Sequence, residues 1–187
     1  RRSLTQYPGS TERLQDSYFD LSSVIKASQV LSGEIILETL LEKLMQVALE
    51  NAGAHSAGLV LSEGDDLYVE ILSQYRGART DHKLTREVVT SSHQLPVSVI
   101  QYVARTQEDL VLNDVVNEDL FTQDDYITRV KPRSILCFPI LSKSHLTGVL
   151  YLENRNNTNA FSQDRVAVLK LLASQSAIAI ENAKLYR

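Results

Sequence analysis

The chain has no tryptophan, a single cysteine and a single methionine among its 187 residues. One thiol cannot close an internal disulfide, which suits a reducing compartment. Seven glycines and four prolines are about half the usual share, too few for a collagenous, low-complexity or turn-dense all-β chain. No apolar run approaches the roughly 18 residues of a membrane span, and neither a signal peptide nor an initiator methionine opens the sequence. The expectation is a cytoplasmic domain cut from a longer chain. Basic residues number 19 and acidic residues 23, a net charge of −4 with a pI near 5.6. That is too acidic for the dense basic surface that nucleic acid requires. Hydrophobic residues make up 43%, enough for an ordinary core in one domain of about 150 residues with flanking segments.

Chemical signatures are also missing. No glycine falls in a GxGxxG or GxxxxGK[ST] phosphate cradle, and there is no GxSxG elbow or HExxH pair. His55, His82, His93 and His145 never stand three or four apart, so no helical pair grips a metal and no metal is expected. Cys137 lies in the apolar run Ser-Ile-Leu-Cys-Phe-Pro-Ile, where a buried thiol behaves as a small hydrophobe. The acid pairs Asp65-Asp66, Glu118-Asp119 and Asp124-Asp125 read as solvated turn residues. The domain itself is not expected to be an enzyme. The one tight basic cluster is Arg129, Lys131 and Arg133, in ITRVKPRS. It reads as a solvated loop or as an anion contact at a pocket mouth.

What is present is an ordered series of elements. Residues 1–19 are polar, contain Pro8-Gly9 and read as a linker or tail; the domain is expected over 20–187. Asp20 caps a helix over Leu21–Leu31, and a second runs from Glu34 to Asn51, with apolar residues at three- and four-residue steps and Gly53 as its stop. His55–Leu61 and Leu67–Gln74 form a hairpin about Gly64, and Leu84–Thr90 is a weaker third strand. Pro96 opens a short helix over Val97–Arg105, Leu110–Leu112 is a short strand, and an acidic loop follows. Ser134–Leu141 and Leu146–Glu153 form a second hairpin. A last helix begins near the N-cap candidate Ser162 and continues to Arg187.

That last helix carries two apolar seams. Leu169, Leu172, Ser176, Ala179, Ala183 and Tyr186 form one; Val168, Leu171, Gln175, Ile178, Asn182 and Leu185 form the other. One seam is expected on the sheet and one on a partner helix. Small residues favour close helix approach, so Leu172, Ala179, Ala183 and Tyr186 are the candidate homodimer contacts.

The stretches PRSILCFPIL (Pro132–Leu141), TGVLYLEN (Thr147–Asn154) and FSQDRVAVLKLLASQSAIAIENAKLYR (Phe161–Arg187), in this order of elements, resemble a GAF domain. The loop Val111–Ile127 is similar to the family's pocket-side loop, where an acidic residue equivalent to Asp114 recurs. The resemblance spans about Leu21 to Arg187 and sits nearest to GAF domains of large cyanobacterial-type sensor kinases, which join serine/threonine and histidine kinase regions. It implies an α+β fold: a central antiparallel sheet of five or six strands, N-terminal helices and a long exit helix. It also implies a regulatory module of a bacterial signalling kinase, sensing a small molecule and relaying its state through the terminal helices. Kinase domains in the same chain would be its partners.

Tyr75, His93, Tyr102, Asp114, Tyr126, Arg133 and Cys137 are the candidate ligand contacts, as polar and aromatic residues at strand ends and loops around the expected pocket. No cofactor is expected. Bilin-binding members use a Cys-His pair where this chain has Ser92-His93, which argues against a covalent bilin. Cyclic-nucleotide members carry Asn-Lys…Phe-x-x-x-Asp-Glu, whereas here Asn154-Arg155 and Phe161 are followed by Arg165-Val166. Haem-binding members use an axial histidine, for which His93 is the best-placed residue. The competing reading is a ligand-free dimerisation and relay module.

Overall fold

The computed structural model describes residues 33–185. The expected tail, the helix at Leu21–Leu31 and Tyr186 lie outside them. The apolar stripe of the second expected helix folds as α1 (Gly33–Ala52), which buries Leu37, Leu40, Leu41, Leu44 and Ala48. Strands β1 (Ser56–Glu63), β2 (Asp66–Arg76) and β3 (Arg79–Val88) follow, then a 3-10 turn at Val89–Ser91 and helix α2 (Val97–Thr106). Next come β4 (Leu110–Leu112), α3 (Asp125–Val130), β5 (Ser134–Ser142), β6 (His145–Asn154) and α4 (Gln163–Lys184). All six strands pair antiparallel in one sheet of order β3-β2-β1-β6-β5-β4. In the turn joining β5 to β6, Lys143 and Ser144 both take positive φ, the twist that a two-residue hairpin demands.

Two elements differ from expectation. The third strand begins at Arg79 rather than Leu84 and pairs with β2 through a turn at Gly77, whose φ is +70°. The acidic loop contains α3, whose cap is Asp124.

The sheet separates two cores. On one face α1 and α4 pack together over Leu59, Leu61, Leu150 and Leu152. On the other, α2 and the loops cover Val60, Val149, Tyr151, Ile135 and Cys137. The alternation along β1 and β6 assigns these faces residue by residue.

The exit helix corrects the dimer assignment. Leu172, Ala179 and Ala183 are 3%, 6% and 5% exposed, within the core shared by α1, α4 and the sheet. The small-residue seam thus serves a close helix contact inside the chain. The second seam is the open one: Leu171, Ile178 and Leu185 are 53%, 61% and 81% exposed. With a mean hydropathy of 1.2, α4 is long and apolar enough to cross a membrane, yet nearly half of that window is buried within the domain, as in the core helix of a globular fold.

Candidate functional site

On the face opposite α1 and α4, the sheet floors a groove of about 450 Å3. Leu72 and Lys83 approach from β2 and β3, Leu95 from the loop before α2, and Tyr126 and Arg129 from α3. Tyr151 and Arg155 close it from the end of β6. A second groove of about 880 Å3 runs between α2 and residues 121–125, sharing His93, Leu95, Tyr126 and Arg129 with the first. Gly58 allows the covering loop to sit this low, because a Cβ there would fall 2.6 Å from Leu95 Cδ2.

Asp124 places the α3 side chains. Its Oδ1 accepts from the backbone N–H groups of Tyr126 and Ile127 at 2.9 and 3.2 Å, satisfying donors that a helix start leaves open. Its Oδ2 accepts from Ser98 N at 3.0 Å and Ser98 Oγ at 2.6 Å, tying α3 to the first turn of α2. Arg129 projects one turn further on. It donates to the His93 carbonyl, and its guanidinium stands 5.7 Å from the Tyr126 ring centroid. Arg129 thus lines both grooves, as His93, Leu95 and Tyr126 do.

Beneath the first groove lies a fully buried carboxylate, Glu153. Its Oε2 accepts from Tyr126 OH at 2.9 Å and Tyr151 OH at 2.8 Å, and its Oε1 from Arg155 Nε at 2.7 Å. A buried carboxylate without such partners would be very costly. Burial first, and the Glu153 charge second, push both tyrosine hydroxyls well above their usual pKa, so both remain donors. Ser56 Oγ, on the groove lining, is buried with no hydrogen-bond partner among the described residues.

The end of β6 links this floor to the helices. Asn154 Nδ2 donates to the Gly53 carbonyl just beyond α1 at 2.8 Å, and its Oδ1 accepts from the N–H groups of Asn156 and Asn157. Arg165 in the first turn of α4 donates to the carbonyls of Ala52 and Ala160 at 3.2 and 3.1 Å. Where cyclic-nucleotide relatives would carry an acid, this chain has a clamp between helix ends.

The structure brings together only part of the expected contact set. His93 and Tyr126 line both grooves. Tyr102 stands behind the second, its ring edge-on to Phe121 at 5.6 Å. Asp114 and Arg133 form a 3.9 Å ion pair that holds the 113–118 loop to the start of β5 and lines neither groove. Cys137 is fully buried in the groove-side core, where desolvation raises its thiol pKa strongly. Tyr75 is 45% exposed in a separate hollow beside the end of α1.

A bulge explains Tyr75. The β1–β2 register passes from Leu59↔Ile71 to Val60↔Val69, so the register skips Glu70. Leu67 and Val69 lie on the groove face, but beyond the bulge it is Leu72 and Gln74 that face the groove, and odd-numbered residues turn over. Ser56, Lys83, Glu153 and Arg155 were not among the expected contacts, whereas Arg129 comes from the basic cluster that also read as an anion contact at a pocket mouth. One signal was available for Glu153, a carboxylate in phase with Val149 and Tyr151 on a strand otherwise buried on both faces. Among the described residues, no group of three or more His, Cys, Asp or Glu side chains is placed to hold a metal.

Comparison with known proteins agrees with this architecture. Over 170 residues the chain is 31% identical to the peroxide stress-activated histidine kinase mak3 of Schizosaccharomyces pombe, covering 89% of this chain and 7% of that protein. Over 90 residues it is 38% identical to the hybrid signal transduction histidine kinase G of Dictyostelium discoideum, covering 48% of this chain and 3% of that protein. The chain thus spans only a small fraction of the curated relatives it matches. The GAF domain of an Acinetobacter phosphoenolpyruvate-protein phosphotransferase superposes with a TM-score of 0.65 at 14% identity, covering 95% of this chain and 97% of that one. The family model for the GAF domain matches residues 37–180, and the chain belongs to that family.

Proposed function

We propose that this GAF domain is the sensory module of a longer signalling kinase, reading a small molecule held in the Tyr126–Arg129–Arg155 groove. The observation that carries the reading is the wiring of β6. Three consecutive residues serve the groove floor, the end of α1 and the groove rim: Glu153 bonds Tyr126 and Tyr151, Asn154 bonds Gly53, and Arg155 lines the groove. A ligand that shifts Arg155 or Tyr126 moves the strand end to which α1 is hydrogen-bonded, and Arg165 passes the same displacement to α4. Such a module transmits only as much free energy as its ligand distinguishes between two packings. Kinase domains in the same polypeptide are the output of this reading, and the cytoplasm its setting.

Native mass spectrometry tests it, comparing the folded chain with the denatured one. The expected result is a small added mass on the folded chain that is lost on denaturation and reduced in Arg155→Ala. A folded chain carrying no added mass counts against a retained ligand.

The exposed seam of α4 favours a second reading, in which the domain relays as a homodimer without a ligand. Leu171, Ile178 and Leu185 would then face the same residues of a second copy. A dimer that Ile178→Glu converts to monomer is the expected result; an unchanged mass rejects that seam.

A further inference from the structure

The charges around the first groove contrast with those of the whole chain. Overall, acids outnumber bases 23 to 19, yet the groove is lined by Arg76, Lys83, Arg129 and Arg155 against one carboxylate, Asp81. Asp81 is already paired with Arg76 at 3.0 Å, and Arg155 spends its Nε on Glu153. Among the described residues neither Lys83 nor Arg129 forms an ion pair with a carboxylate. Arg129 carries five N–H donors in a planar fork, and the contact it is shown to make as a donor is to the His93 carbonyl. The walls between these charges are apolar or aromatic, from Leu72, Leu95 and Tyr151. The buried Ser56 Oγ has no hydrogen-bond partner among the described residues. Two uncompensated cations, an apolar wall and an unpartnered hydroxyl are the complement of one kind of molecule.

We propose that the groove takes a small organic anion, with an apolar or aromatic body and a carboxylate or phosphate head. The body lies against Leu72, Leu95 and Tyr151, and the head is held by Arg129 and Lys83. This rests on the reading of the groove as the sensory site and adds the chemical class. Charge-assisted hydrogen bonds from guanidinium to carboxylate or phosphate are among the strongest polar contacts available to a protein. Neutral and cationic molecules of the same shape would leave the two cations uncompensated.

Calorimetric titration of the 187-residue chain with four probes of one shape tests the proposal: phenyl phosphate, phenylacetate, benzyl alcohol and benzylamine. Ionic strength is held constant, because screening alone would change the apparent preference. Amide hydrogen exchange locates any binding. The expected result is binding of one or both anions at residues 93–95 and 126–129, with the alcohol and amine silent. Phosphate and carboxylate heads are distinguished by which anion binds more tightly. Lys83→Gln with Arg129→Gln should weaken the anion at least about tenfold, equivalent to roughly 1.4 kcal/mol. Benzyl alcohol binding in the groove as tightly as the anions would overturn the anionic class while leaving the sensory groove standing. Anion binding unaltered by the double substitution would also overturn the class. Silence of all four probes would overturn it together with the sensory reading of the groove.

Discussion

Glu153 is the side chain on which the groove floor depends. It is fully buried with three donors, so removing one donor leaves a desolvated oxygen less satisfied. Tyr126→Phe should cost about 1–3 kcal/mol, read as a lower urea midpoint with unchanged slope, and should loosen α3 more than α1. His82 offers a second test. Burial lowers its pKa below the usual 6.5, against the opposing pull of Glu42 and Asp81, and its Nδ1 sits 2.8 Å from the Ser73 hydroxyl. As pH falls below about 6.5 the unfolded chain takes up protons at this site before the folded one does. The stability contributed by neutral His82 is therefore present above that pH and lost below it. His82→Gln should flatten the decline of the melting temperature between about pH 6.5 and pH 5; an identical slope in both proteins would contradict this.

Among the elements, α3 is the one most dependent on a single residue. It has six residues, too few to persist without a cap and a tether, and Asp124 supplies both. Asp124→Ala should cost about 1 kcal/mol or somewhat more, with faster amide exchange over Asp125–Val130 and little change in α1. Ala179→Glu probes α4. With Ala179 6% exposed in the shared core, the substitution places a charge where no partner waits, so unfolding rather than a simple change of oligomeric state is expected by circular dichroism. The long helices were legible because their apolar residues keep helical spacing over five turns. The start of β3 was not, because it is an edge strand exposed along much of its length and carries no apolar alternation before Leu84. The cap of α3 was written in the sequence, but Asp124-Asp125 also reads as a solvated turn. Tyr75 lies away from the groove because the register skips Glu70, a bulge that a two-residue period does not reveal. The small-residue seam was read as a contact between two copies, whereas Leu172, Ala179 and Ala183 lie in the core that α4 shares with α1 and the sheet of the same chain.

At the scale of the whole molecule, the sheet is a wall with a side covered by long helices and a grooved side. Helices α1 and α4 close one face with a continuous core, while short α2 and α3 leave grooves on the other. One junction between the two sides is a corner where Asn154 is hydrogen-bonded to Gly53 and Arg165 to Ala52. This corner gives the sensory reading a hydrogen-bonded route from the groove floor to both long helices. The most direct test is amide hydrogen exchange across the chain with and without saturating phenyl phosphate. The account predicts slowed or altered exchange in the groove, at His93–Leu95 and Tyr126–Arg129, and also at the corner, at Ala52–Ala54 and Gln163–Val166. A change confined to the groove, with the corner and both long helices untouched, would contradict it.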